Sequence, residues 1–197
     1  MMPSLARATL LATLLAPAAS GLALAQATGD AVAPMLFDAK AAEVELIPQP
    51  FLPADQAELL KQVGVMQPYY GAIAISPDEG IMVEATVAAA GHHSTEAAAA
   101  AATSACDAKR KGATPCAVVA LIRPKGWQAT GFQLSSGATE AFGKDYTRIR
   151  RAKAFAISPS TGVWGIGKGK EAAAAAIEDC RTKLNPAPAD CAVAIVD

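Results

Sequence analysis

The chain contains the same segment twice, and this internal repeat constrains its fold more than any other feature of the sequence. The residues AIAISP at 72–77 return as AFAISP at 154–159, and CAV at 116–118 returns at 191–193. Between the two matches, each copy carries a Glu followed by at least five alanines. Self-similarity in the same order over about 50 residues indicates two copies of one supersecondary unit.

The first copy predicts a ββαβ unit. Short apolar runs bounded by turn residues suit strands, here at 71–75, 81–87 and 116–122. A Ser-Pro-x-x-Gly turn separates the first two strands, and Gly80 is free to take a positive φ at its exit. The Ala-rich segment at 95–110 predicts the helix, because alanine is the best helix former.

The second copy predicts the same order of elements. Its strands are expected at 154–157, 163–167 and 191–196 and its helix at 170–184, and Gly162 is expected at positive φ in the turn. Because alanine side chains are short, both helices can lie very close to their sheets. The fold class is therefore α+β, with two tandem ββαβ units, each an Ala-rich helix packed on a small antiparallel or mixed sheet.

The small size of each unit predicts a contact between them. A unit of about 50 residues buries too small a fraction of its surface to be stable alone. We therefore expect the units to pack on each other through a pseudo-two-fold contact. This contact is expected to bury Phe155 and Trp164, two aromatic residues of the second copy.

The four cysteines fall on the repeat, two in each copy. Cys106 and Cys180 lie in the predicted helices, and Cys116 and Cys191 open the closing strands. Four cysteines allow three pairings, and the spacing alone does not choose among them. Because the copies are alike, we predict local disulfides, whereas crossed pairing would give like units unlike chemistry. Each local bond closes a loop of about ten residues, worth on the order of 3 kcal/mol in the chain-entropy model.

The first 25 residues predict an export signal. Residues 1–25 carry one charge, Arg7, and an apolar run that leads to Ala-Leu-Ala at 23–25, a small-x-small cleavage site. Pro17 and Gly21 interrupt this run, which argues against an uncleaved membrane anchor. The protein is therefore expected to be periplasmic or secreted, with no membrane span after signal removal and with oxidised cysteines.

Two connecting segments complete the chain. In the first, 26–42 is expected to be loose, followed by a strand at 43–47 and a short helix at 53–63; in the second, a helix is expected within 134–150. The predicted division is a signal peptide at 1–25, an N-terminal arm at 26–69, the first repeat unit at 70–122, a linker at 123–152 and the second repeat unit at 153–197.

Charge and composition exclude two classes of protein. With 17 Lys and Arg against 18 Asp and Glu, the net charge is −1, so there is no cationic surplus to neutralise nucleic-acid phosphates. A hydrophobic content of 52%, including 48 alanines, excludes a disordered chain. One basic run stands out and is expected to be a solvated face: Arg148, Arg150, Arg151 and Lys153.

No motif predicts a catalytic centre. The segment 162–168 matches Gly-x4-Gly-Lys of a phosphate-binding loop, but Gly169 stands where that loop needs Ser or Thr, so a glycine-rich strand close to a helix is expected. His92 and His93 are the only histidines; they are expected in a loop of the first unit, and even on a strand two adjacent residues would make a poor chelating pair. The cysteines lack C-x-x-C spacing. We therefore predict no catalytic residue, no cofactor and no metal.

The repeated residues resemble a known family. Gly-Ala-Ile-Ala-Ile-Ser-Pro at 71–77, Gly-Val-Trp-Gly at 162–165, an Ala-rich helix ending near a Cys and the Cys-Ala-Val strand look like the exported bacterial domains grouped as domain of unknown function 4189. The resemblance covers 70–122 and 153–197, and the first copy departs from it with Ile-Met-Val at 81–83. It implies an exported bacterial protein and brings no established catalytic residues.

Three classes of function stay open. The favoured one is a non-catalytic protein of the cell envelope that binds another protein or a wall component. The second is an uncharacterised envelope enzyme, such as a hydrolase with His92 or His93 as its base. The third is an inhibitor or immunity-type partner of an exported toxin. Short chains of this kind are sometimes labelled aminolevulinate synthases, but no residue pattern here supports that activity, which needs a much larger fold and a cofactor-site lysine.

Export predicts a measurable change in mass. The exported protein should be 25 residues shorter than the gene product and begin at Gln26, because signal peptidase cleaves after small residues spaced as Ala23 and Ala25 are. Intact mass of the protein purified from the periplasmic fraction measures this directly. A mass that retains Met1 would contradict it.

Overall fold

Two antiparallel sheets, one in each repeat unit, form the frame of the protein. The computed structural model describes residues 26–184 and 188–197, and the signal peptide predicted at 1–25 lies outside them. The strands are β1 (Ala42–Leu46), β2 (Gly71–Ile75), β3 (Val87–Ala89), β4 (Ala117–Pro124), β5 (Lys153–Ile157), β6 (Trp164–Lys168) and β7 (Ala192–Val196). The helices are α1 (Gly29–Val32), α2 (Ala54–Gly64), α3 (Thr95–Asp107), α4 (Ser136–Lys144) and α5 (Ala172–Thr182), with 3-10 turns at Ala33–Met35 and Tyr146–Arg148.

The two sheets share one arrangement of strands. The first sheet has the order β1-β4-β2-β3 and the second β6-β5-β7, so the opening strand of each unit lies between the other two. Both central strands shift register at the same point, between Ile73 and Ala74 in β2 and between Phe155 and Ala156 in β5. A common strand order and a common bulge are what a repeated unit is expected to show. The predicted α+β fold, with one helix and one antiparallel sheet per unit, is confirmed.

Alanine brings both helices directly onto their sheets. The buried helix positions recur every four residues and match between the units: Ala98, Ala102 and Cys106 in α3, and Ala172, Ala176 and Cys180 in α5. In the second unit the strand under the helix is glycine-rich, and added Cβ atoms on Gly165 and Gly167 would lie 2.2 Å from Ala176 O and 1.9 Å from Ala172 O. The segment that resembles a phosphate-binding loop is therefore strand β6, which needs glycine because the helix backbone lies against it.

The disulfides pair within each unit, as predicted. Cys106 bonds to Cys116 and Cys180 to Cys191, with a Cα–Cα distance of 6.1 Å in both. Each bond joins the last turns of the Ala-rich helix to the start of the closing strand. The described residues contain no free cysteine.

In each unit, carboxylates join the turn after the first strand to the loop before the closing strand. The carboxylates belong to the turn in the first unit and to the loop in the second. In the first unit the turn supplies them: Asp78 accepts hydrogen bonds from the Thr114 amide at 2.8 Å and hydroxyl at 2.9 Å, and Glu79 accepts from the Gly112 amide at 3.2 Å. In the second unit the loop supplies the carboxylate, because Asp190 accepts from a hydroxyl and an amide of the turn. The two copies thus fix the same junction with different residues.

The second strand of the first unit lies later in the chain than predicted. Residues 81–85 form bends and turns, and the second strand of the unit is β3, which begins at Val87. Ile81 and Ala85 are buried, but Val83, which strand alternation would place beside them, is exposed. The Thr86 amide donates to the Val83 carbonyl at 3.0 Å, which closes a turn directly before β3. The expected strand at 81–87 is therefore wrong, because the chain turns there.

Only one of the two turn glycines takes a positive φ. Gly80 does, with φ +73°, as predicted, whereas Gly162 does not. A Cβ on Gly162 would lie 1.6 Å from the carbonyl oxygen of Gly91. Gly162 is therefore required by the close approach of the two units rather than by turn geometry.

The N-terminal arm is docked rather than loose over 26–42. Ala27 pairs in parallel with β7: its amide donates to Ala194 O at 3.0 Å, and the Val196 amide donates to Ala27 O at 3.0 Å. Val32 on α1 is fully buried in the core of the second unit. Strand β1 and helix α2 form close to their predicted positions at 43–47 and 53–63.

The large side chains of each unit lie on the sheet face away from the Ala-rich helix. In the second unit this face is covered by α4 and α1, and the rings of Phe142 and Tyr146 lie 6.3 and 5.7 Å from that of Phe155. In the first unit, α2 and the residues just before it, Phe51 and Leu52, cover the equivalent face, and β1 extends the sheet beside β4. The expectation that Phe155 and Trp164 are buried against the first unit is wrong: linker and arm cover Phe155, and Trp164 lies half-buried beside Gly137 of α4.

Because the glycines of β6 lie against the backbone of α5, the addition of one methyl group to either of them should reduce the stability of the protein strongly. Gly165→Ala should lower the free energy of unfolding by about 3 kcal/mol, because its Cβ would overlap the backbone of α5. Gly143→Ala is the matched control: a Cβ there meets nothing within 4 Å, and helix propensity favours alanine by up to about 1 kcal/mol. Urea unfolding measures both. Equal stability of the two variants would contradict direct backbone packing.

Candidate functional site

The two units meet at the loop that carries both histidines. The His93 amide donates to Thr161 O at 3.1 Å. Its ring accepts at Nδ1 from the Ser135 amide at 3.0 Å, and Nε2 lies 2.9 Å from Val163 O. Because the amide can only donate, Nδ1 is unprotonated and Nε2 carries the proton donated to Val163 O. His93 is thus a neutral ring that joins the first unit, the linker and the second unit.

Neighbouring serines fix the helices that begin at this junction. The Ser135 hydroxyl donates to Gly162 O at 3.0 Å and accepts from the Ala138 amide at 3.2 Å, which caps α4. Ser94 accepts from the Ala97 amide at 3.1 Å and caps α3, as its position before the alanine run suggests. The junction is therefore held by short polar side chains and backbone groups.

Burial sets the protonation state of His93. The side chain is 4% exposed, and desolvation lowers its pKa to about 4, although the Val163 carbonyl favours the protonated form. Burial also lowers the pKa of His92, which is half-buried and whose amide donates to Tyr70 O at 3.0 Å. With both ring nitrogens of His93 engaged by the backbone, this residue holds the fold together and is not positioned to accept a substrate proton.

A cavity of about 330 Å³ opens beside His93, between the two units. Its walls come from the histidine loop, the linker and the second unit: His93, Ser94, Gly131, Phe132, Gln133, Ile157, Pro159 and Ala194. The walls are predominantly apolar, and Gln133 adds an amide that can both donate and accept hydrogen bonds. A mostly apolar cleft of this size at the boundary of two units has the character of a small-molecule site.

The sequence located only part of this site. Both histidines were predicted to lie in a loop, and they do, but Gly131, Phe132 and Gln133 belong to a linker without motif or periodicity. No signal in the sequence singles out these three residues. Among the described residues, no group of three or more His, Cys, Asp and Glu side chains is placed to hold a metal ion.

Comparison with other proteins adds no family to this geometry. The chain matches no known family model, no curated protein and no solved structure. In the part of the chain that the structure describes, every helix is too short or too polar to cross a bilayer.

Stability should fall on mild acidification because of His93. The pKa is about 6.5 unfolded and about 4 folded, so the unfolded chain binds more protons in this range and stability decreases as the pH falls. Over the whole window the loss is about 3 kcal/mol. Asp78, Glu79 and Asp190 also have lowered pKa values, but the stability they contribute is lost only at more acidic pH, where the carboxylates of the unfolded chain begin to bind protons, so the window belongs mainly to the histidines.

Urea unfolding between pH 7 and pH 4 checks this expectation. His93→Gln should be less stable than the natural protein at pH 7 and should lose much less stability on acidification. His92→Gln is the matched control and should keep most of the acid-induced fall. Parallel pH dependence in the natural protein and His93→Gln would show that His93 does not stay neutral in the fold.

Proposed function

We propose that this protein is an exported, non-catalytic binding protein of the cell envelope, and that it binds a small neutral molecule in the cavity between its two units. The observation that carries the proposal is the cavity itself, which the linker and both units line together. Binding sites occur preferentially at such boundaries, where two rigid bodies create a concave surface.

Several features support an exported location. The sequence at 1–25 has the pattern of a cleavable signal, and disulfides such as Cys106–Cys116 and Cys180–Cys191 persist in oxidising compartments. The resemblance to domain of unknown function 4189 points the same way. Together they favour the periplasm or the exterior of a bacterial cell.

The lining residues define the class of ligand. Phe132, Ile157, Pro159 and Ala194 offer apolar contact, and none of the lining side chains is charged at neutral pH once His93 is neutral. A charged ligand would lose its hydration without gaining a partner, which is unfavourable. The cavity therefore suits an uncharged, mainly apolar molecule with one polar group that Gln133 can bind.

The same geometry makes an enzyme the weaker candidate. A general base must reach its substrate with an unoccupied nitrogen or oxygen. Both ring nitrogens of His93 are hydrogen-bonded, Nδ1 to the Ser135 amide and Nε2 to the Val163 carbonyl. No carboxylate and no cysteine lines the cavity beside this ring. These residues therefore support the binding of a ligand rather than catalysis.

Occluding the cavity should abolish binding. Gly131 lines it, has an ordinary φ, and a Cβ there meets nothing within 4 Å, so Gly131→Leu adds a large apolar side chain at the wall of the cavity without strain. The neutral fluorophore N-phenyl-1-naphthylamine is the probe. Its affinity should fall about tenfold or more in Gly131→Leu, because an apolar side chain occupies the space the ring would take.

Gly143→Leu provides the matched control, because Gly143 is equally unhindered but lies on α4, away from the cavity. Its affinity for the fluorophore should equal that of the natural protein. If the natural protein does not bind the fluorophore, or if both variants bind it equally, the cavity is not the binding site.

A further inference from the structure

The structure assembles a basic surface from two segments that are distant in sequence. Residues 148–151 lead into β5, and residues 168–170 begin with the last residue of β6 and continue past it. The two strands pair with Lys153 opposite Lys168, and the Gly169 amide donates to Ala152 O at 2.7 Å. This pairing places Arg150, Arg151 and Lys168 around one open depression of about 400 Å³, with Ile149 as its fourth wall. Arg148 and Lys170 adjoin it in sequence. We call these five cations the basic face: Arg148, Arg150, Arg151, Lys168 and Lys170.

The residues of the basic face are not the same as those of the basic run in the sequence. Lys153 belongs to that run but is neutralised inside the protein: its ammonium lies 3.7 Å from an Asp197 carboxylate oxygen and 4.7 Å from the centre of the Tyr146 ring. It also donates to Ile149 O at 3.3 Å. Lys168 takes its place, since strand pairing brings it to the other cations.

The five cations are unpaired and exposed. Within residues 26–184 and 188–197, no carboxylate lies within 4 Å of any of their charged groups, whereas six other cations form such pairs. The fold thus concentrates repelling charge at one end of one sheet without a compensating internal contact.

The rest of the molecule has the opposite charge. Residues 26–197 contain 16 Lys and Arg and 18 Asp and Glu, so outside the basic face 11 cations stand against 18 carboxylates. This asymmetry steers the molecule toward a negatively charged plane with the basic face leading.

The start of α5 adds to the positive potential. The helix begins at Ala172, two residues after Lys170, and its N-cap Glu171 makes no side-chain capping hydrogen bond. The first-turn amides therefore keep their partial positive charge toward this end of the sheet. Two carboxylates, Glu171 and Asp145, border the face, and neither forms an ion pair with it.

We propose that the basic face binds an anionic lipid surface. Arginine side chains hold phosphate oxygens in a two-pronged geometry, and clusters of four to eight basic residues are typical of proteins that bind acidic lipids. Each cation that lines the depression is exposed, so the depression lacks the buried polar groups of a pocket for one small anion. An extended layer of headgroups fits the three exposed cations around the depression and the two exposed cations that adjoin them in sequence, and Ile149 adds apolar contact. This surface is separate from the cavity beside His93.

Vesicle flotation tests this proposal with the full-length exported protein. The natural protein should bind vesicles of equal parts phosphatidylglycerol and phosphatidylcholine in 50 mM salt, should not bind pure phosphatidylcholine, and should be released in 500 mM salt. The variant with Arg150→Gln, Arg151→Gln and Lys168→Gln should bind the anionic vesicles about 100-fold more weakly.

A charge-matched variant separates the basic face from overall charge. Lys109→Gln, Lys111→Gln and Lys125→Gln remove three exposed lysines of the first unit and its adjoining linker, and should leave binding unchanged. Equal loss in the two triple variants, equal binding to neutral vesicles, or no binding to anionic vesicles would overturn the proposal. So would retention by soluble polyphosphate without vesicle binding, which would assign the face to an anionic polymer. Equal urea midpoints of the variants exclude unfolding as the cause.

Discussion

Direct contact between helix backbone and sheet backbone is the constraint on which the rest of this structure depends. Because alanine fills the buried helix positions and Gly165 and Gly167 lie beneath α5, no large side chain fits between these layers. The Ala-rich side of each unit therefore contributes shape and a disulfide but little buried apolar area, and stability has to come from the opposite face of each sheet.

That requirement explains why the arm and the linker are packed against the sheets instead of only connecting the two units. The large residues of each sheet face away from the Ala-rich helix, and the repeat itself supplies no second layer to cover them. Helix α2 covers the first sheet, while α4 and the docked arm cover the second, where Val32 and Phe142 reach Phe155. The linker has to pass the histidine loop to reach its position, and the junction and its cavity are the result of that path.

Local patterns could be predicted from the sequence, and long-range placements could not. The Ala-rich helices follow from patterns within one unit, and the Cys106–Cys116 and Cys180–Cys191 pairs follow from the likeness of the two copies. The burial of Val32 could not be predicted, because its segment has no hydrophobic periodicity. The cavity could not be predicted either, because the linker residues that line it belong to no motif. Lys168 joins the basic face only through strand pairing, which its neighbours in sequence do not reveal. The turn pattern predicts a turn role for Gly162, whereas the structure requires its small size for a contact with a loop about 70 residues away.

The pairing of Ala27 with β7 imposes an order on folding. The Gly29 amide also donates to the Asp197 carboxylate at 2.9 Å, a contact that spans 168 positions of the chain. The first sheet needs only residues up to Pro124, whereas the second cannot close until β7 has emerged and the arm has returned to it. Contacts of such long range form slowly, because the entropy of closing the loop is lost before they stabilise the chain. Val32 therefore cannot reach its buried position until the last strand has formed, and folding concludes in the second unit.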